Sequence, residues 1–80
     1  MNISVDLSLY PLKNEFESQI VAFIASLRKS PFKVLENPLS TQVYGPYDEV
    51  LPFLFKEIKI IFNEEPDAVF VIKIVNGNRV

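Results

Sequence analysis

Residues 3 to 12, ISVDLSLYPL, alternate apolar and polar side chains: Ile3, Val5, Leu7 and Leu9 fall on one side, and Ser4, Asp6, Ser8 and Tyr10 on the other. Side chains in a strand point to opposite faces with a period of two, so this stretch predicts a half-buried strand. The period then changes. Phe16, Ile20, Phe23, Ile24 and Leu27 recur at helical spacing, and Asn14 with Glu17 three residues later has the form of an N-cap with its capping-box partner. Arg28 and Lys29 fall where a helix C-terminus favours cations, and Ser30-Pro31 ends the run. FKVLEN, residues 32–37, is rich in strand formers, and STQVYG, residues 40–45, alternates again, with Thr41 and Val43 against Ser40, Gln42 and Tyr44. The short connection between them predicts a hairpin. Asp48 is the expected cap of a second helix reaching about Asn63, with a core stripe of Val50, Leu51, Leu54, Ile58, Ile61 and Phe62. Pro52 deletes one backbone bond, and a start at Asp48 confines the damage to the first turn. DAVFVIKIV, residues 67–75, predicts a last strand, closed by the turn signal Asn76-Gly77.

Strand, helix, strand, strand, helix, strand is the order of a split βαβ arrangement. The expected fold is therefore α+β and ferredoxin-like, a βαββαβ chain with a four-stranded antiparallel sheet, its first and third strands central, and two helices on one face. Residues 1–80 then form one domain. Ile3, Val5, Leu7, Leu9, Thr41 and Val43 would face the helices together with Phe70, Ile72 and Ile74. Ser4, Asp6, Ser8, Tyr10, Ser40, Gln42 and Tyr44 would occupy the middle of the uncovered face.

Composition narrows what such a face can do. The 80-residue chain is 49% hydrophobic and 22% charged and has seven Phe, which suits a folded domain. A chain this short buries only about 60% of its unfolded surface, and association is a common supplement. It has no Cys and no His, so disulfides, thiolate or imidazole metal sites and the usual acid–base residue are all missing. A net charge of −2 offers no field for phosphate backbones, so nucleic acid is not an expected partner. Apolar runs are shorter than a bilayer span needs and no basic-then-apolar leader is visible, so the expected place is the cytoplasm, away from any membrane.

The alternating strand ending in Tyr10-Pro11-Leu12, the Ser40-Thr41 strand that ends at Gly45 just before the acidic pair Asp48-Glu49, and VFVIKIV near the end together resemble the YkoF-like thiamine-binding family of small ferredoxin-like proteins, also described as MTH-type or DUF77 proteins. The resemblance runs over essentially the whole chain. It implies binding of thiamine or its hydroxymethylpyrimidine part without chemistry on it, in vitamin salvage or uptake, with no cofactor. It also implies a homo-oligomer, dimer or tetramer, that pairs through its sheet.

A thiamine site needs groups that read an aminopyrimidine edge, an aromatic face, and negative character for the thiazolium cation. Asp6, Ser8, Ser40, Thr41 and Gln42 supply the polar candidates, and Tyr10 and Tyr44 the aromatic ones. Two readings stand side by side. A solvated sheet face shows this same alternation without any ligand, which suffices for Ser4 and Ser8, and Thr41 also suits a packing role in the hairpin. Asp6 is disfavoured inside a strand, so ligand and solvent account for it equally well, and Lys73 could pair with it across the sheet. Tyr10 and Tyr44 could equally be buried against a sister chain. On the second helix, Phe53 and Ile60 lie on one flank of the stripe and are expected at an interface, whereas Phe55 is expected to be covered by the sheet. Catalysis is not expected: the carboxylates are scattered, Glu64, Glu65 and Asp67 read as a solvated loop, and LYPLKNEF has no anion-cradling glycines. The alternative to vitamin binding is a ligand-free assembly module.

Overall fold

The computed structural model describes residues 1–12 and 17–80. Its elements are β1 (Asn2–Pro11), α1 (Glu17–Lys29), β2 (Lys33–Glu36), β3 (Thr41–Pro46), α2 (Tyr47–Glu64) and β4 (Ala68–Asn76). The four strands form one antiparallel sheet in the order β2-β3-β1-β4, so β1 and β3 are central as the alternation implies. The expected cap of Asn14 with Glu17, and the first core position, Phe16, lie outside what the structure describes.

Period two becomes burial on one face of the sheet. Ile3, Val5 and Leu7 of β1 and Val43 of β3 are buried against Phe23 and Leu27 of α1 and Val50, Leu51, Leu54, Ile58 and Ile61 of α2. Leu27 and Leu54 are almost wholly removed from water, each worth roughly 2 kcal/mol over the exposed side chain. Helix α1 stops where both the backbone amide and the hydroxyl of Ser30 donate to the Leu27 carbonyl, at 3.1 and 2.6 Å, and Pro31 prevents continuation.

The start of α2 differs from expectation. Pro46 occupies the N-cap with no side-chain cap bond, and Asp48 sits inside the first turn with Glu49, where the helix dipole favours acids. One of the free amides of the first turn is satisfied from the sheet: the Tyr47 amide donates to the Met1 carbonyl at 2.9 Å, extending the ladder into the helix. Pro52 is consequently the sixth helical residue, in the second turn, on the exposed side of the helix.

Several phenylalanines sit differently from what the stripe suggests. Phe53 is half-buried and meets Phe32 edge-on, ring centroids 5.5 Å apart, because the residue before β2 folds across that flank. Phe55 is 54% exposed, since the sheet does not reach that side of α2. Phe62 is also exposed, resting one edge on Phe70 at 5.7 Å instead of entering the core. Ile60 is exposed as expected.

Two main-chain contacts set the hydrogen-bond phase of β1. The Met1 carbonyl accepts from Tyr47 at the β3 side, and the Asn2 carbonyl accepts from Gly77 at the β4 side, both at 2.9 Å. In an antiparallel ladder the bonded pairs alternate, so odd residues of β1 address β3 and even residues address β4.

Candidate functional site

The uncovered face carries the groups that the alternation places there. Asp6 faces Gln42 on β3 and Lys73 on β4, and Ser4 faces Tyr44. Gln42 Nε2 donates to Asp6 Oδ1 at 2.8 Å and to Ser40 Oγ at 2.7 Å, while Gln42 Oε1 accepts from Asn37 Nδ2 at 3.3 Å. Hydrogen bonding to the carboxylate, from Gln42 first and from the Ser40 hydroxyl second, holds the Asp6 carboxyl below its ordinary value, with the Lys73 charge adding a smaller pull. The carboxylate is therefore kept ionised on an open surface, beside donors that are already spent on it.

Asn37 organises the hairpin connection between β2 and β3. Its Oδ1 accepts from the amides of Leu39 and Ser40 at 2.9 and 3.0 Å, and its own amide donates to the Ser40 carbonyl at 3.1 Å. One side chain thus caps the turn and steadies Gln42. The Asn-Pro pair at 37 and 38 is a turn signal in the sequence, and it is the mark by which Asn37 could have been singled out.

Beside this turn the sheet is incomplete. Pairing of β1 with β3 ends at Leu7 and Thr41, whereas pairing with β4 continues to Pro11. The missing segment leaves a cavity of about 380 Å³, at the small end of the usual range for ligand pockets. Leu9, Ile20, Phe23 and Ile24 line it from the helix side and Ser8, Tyr10, Asn37 and Ser40 from the other, with Glu36 and Thr41 at the hairpin base. Glu36 is already engaged: Arg28 donates to both its oxygens at 2.8 Å, which lowers the carboxyl and raises the guanidinium.

Of the sequence candidates, Ser8, Tyr10, Ser40 and Thr41 therefore line one cavity, and Asp6 and Gln42 form the adjoining network. Thr41 does so from the helix-facing side, opposite Leu7, and is buried. Tyr44 stands apart. It is level with Ser4, six residues along β1 from Tyr10, or about 20 Å, so the two rings do not flank a common ligand. Ser4 is not solvated: it is buried, donates to the Gly77 carbonyl at 2.7 Å and accepts from the Arg79 amide at 2.8 Å. The apolar cavity wall contributed by Ile20, Phe23 and Ile24 escapes the sequence reading because those residues satisfy the core stripe of α1.

No family model matches the sequence, and no curated protein matches it either. Solved structures do. A protein from Streptococcus pneumoniae aligns with a TM-score of 0.88 at 23% identity, covering 99% of this chain and 90% of its own. One from Thermotoga maritima, described as a "putative thiamine biosynthesis/salvage protein", aligns at 0.84 and 15%, covering 96% and 85%. A domain of unknown function, DUF77, from Bacillus cereus aligns at 0.79 and 14%, covering 100% and 80%. The structures the chain resembles thus include the DUF77 domain and the thiamine-linked protein that the sequence brings to mind, and the likeness is one of fold. Among the described residues, no helix is long and apolar enough to cross a membrane.

Proposed function

We propose that this chain is a non-catalytic cytoplasmic binder of thiamine or its hydroxymethylpyrimidine part, acting in vitamin salvage or uptake at the break in the sheet. The observation that carries the reading is the 380 Å³ cavity opening next to an ionised Asp6 held by Gln42 and Ser40. A slot with one apolar wall, from Leu9, Ile20, Phe23 and Ile24, and one polar wall suits a pyrimidine ring with its polar edge, and a fixed carboxylate suits the thiazolium cation. The thiamine-linked description of the Thermotoga maritima structure supports the same ligand. Calorimetric titration of thiamine and hydroxymethylpyrimidine should give saturable heat. In Asp6→Asn, thiamine should weaken more than the neutral pyrimidine does, whereas equal affinity for thiamine in both proteins would remove Asp6 from the site.

A second observation favours self-association, the reading in which the chain serves as an assembly module with or without a ligand. Strand β4 is an edge of the sheet, yet Val69, Val71, Ile74 and Val75 leave it exposed and apolar on both faces, with Phe55 and Phe62 exposed on α2. An unpaired apolar edge is a template for another strand, and a second copy offers a matching one about a two-fold axis. Light scattering should give the mass of a dimer or tetramer, and Val71→Lys should reduce it. A monomeric wild type would end this reading.

A further inference from the structure

The break in the sheet exposes main chain as well as side chains. Because odd residues of β1 address β3, the N–H and C=O of Leu9 both point toward the place that residue 39 would fill in a continued ladder. Leu39 does not fill it. Its amide is bonded to Asn37 Oδ1 at 2.9 Å, and its carbonyl takes only a long contact from the Ser8 hydroxyl, at 3.4 Å. Among the described residues, no partner is present for the Leu9 N–H and C=O on that side. Leu9 is half-buried and lines the cavity, so two main-chain groups that ordinarily demand partners have none among the described residues on the side where the β3 ladder stops.

We propose that the Leu9 N–H and C=O form a two-point recognition edge for a planar ring that carries a donor directly beside an acceptor, namely the amino group and adjacent ring nitrogen of a 4-aminopyrimidine. In an extended strand the two groups of one residue point the same way, and a facing residue would engage both at once. The aminopyrimidine edge presents the same complement: the amino group donates to the Leu9 carbonyl, and the ring nitrogen accepts from the Leu9 amide. Ile20, Phe23 and Ile24 supply an apolar wall for the ring. A peptide strand has the same edge chemistry, but only Ser8 to Pro11 of β1 lacks a β3 partner, and a gap that short with a volume of about 380 Å³ suits a small ring. The inference rests on the reading of the chain as a pyrimidine binder and assigns the group within that site that reads the ring.

The test is a titration of the full ¹⁵N-labelled chain followed by amide resonances, using thiamine, 4-amino-5-hydroxymethyl-2-methylpyrimidine, and the same pyrimidine without its amino group. The Leu9 amide proton should move downfield with saturation and exchange more slowly with solvent, and loss of the amino group should weaken binding about tenfold. Leu9→Pro removes the N–H without breaking a β4 bond and should weaken the pyrimidine by a similar factor, with the Ser4 and Val43 amides reporting that the sheet is intact. Saturation that leaves the Leu9 amide unmoved, or equal binding of the analogue without the amino group, overturns this inference while the vitamin reading stands. No saturation by thiamine or the pyrimidine overturns both. A tetrapeptide that shifts Leu9 where the pyrimidines do not replaces the ring with a strand and overturns the inference as well.

Discussion

Strand β1 carries a serine near each end of its uncovered face, and the two ends treat them oppositely. Ser4 is buried with two short bonds to the chain beyond β4, whereas Ser8, among the described residues, has one 3.4 Å contact at the rim of a cavity. At the Ser4 end β1 is flanked on both sides, Gly77 turns back at a φ of +93° that favours glycine, and Gly45 lies tight against Val50 and Phe32. At the Ser8 end one flanking strand is missing. The same residue type in the same alternation is therefore a structural pin at one end and an available group at the other. Neighbours decide which.

The contrast can be attacked from both ends. Ile3→Ala at the closed end should cost about 3 kcal/mol in chemical denaturation, while Leu9→Ala at the open end, half-buried already, should cost about 1 kcal/mol; equal losses would erase the difference in packing. Gly45→Ala places a Cβ 2.8 Å from Val50 Cγ2 and 2.9 Å from Phe32 Cδ1, and should destabilise by about 2 kcal/mol in the same assay. Ser4→Ala strands the Gly77 carbonyl and Arg79 amide and should cost about 1 kcal/mol, whereas Ser8→Ala should stay within about 0.5 kcal/mol; a costly Ser8→Ala would mean the open end is held more firmly than its bonds show.

The smallest effect is a pH dependence carried by Asp6, next to the open end. Asp6 has a lower pKa folded than unfolded, so its contribution to stability is complete above the ordinary value of 3.8 and disappears as pH falls through the folded one. Thermal denaturation of the wild type below about pH 4 should lose this increment, and Asp6→Asn should lack that part of the acid dependence. An identical acid profile in both proteins would show that Gln42 and Ser40 do not bias the Asp6 proton.

Much of this is written in the chain. Period two in ISVDLSLYPL separates Ile3, Val5 and Leu7 from Ser4, Asp6 and Ser8, and the later change of period places both helices on the apolar side. Alternation assigns a face, but it has no information about which end of a strand is flanked. That depends on where β3 stops, on Asn37 diverting the Leu39 amide, and on Gly77 returning the chain to Ser4. The phenylalanines of α2 show a related limit. Helical spacing locates Phe53 and Phe55 on either side of the stripe, yet Phe32, which belongs to no regular element, determines which of them is covered.

The alternating phase of β1 bears on how such a site is inherited. Recognition through the Leu9 main chain would be indifferent to which residue other than proline stands at position 9, so most substitutions along 8 to 11 would retune shape and polarity without deleting the reading groups. Inserting or removing a single residue in β1 would instead rotate those groups toward β4 and abolish them at one step. Along that stretch this chain would then tolerate changes of letter but not of count.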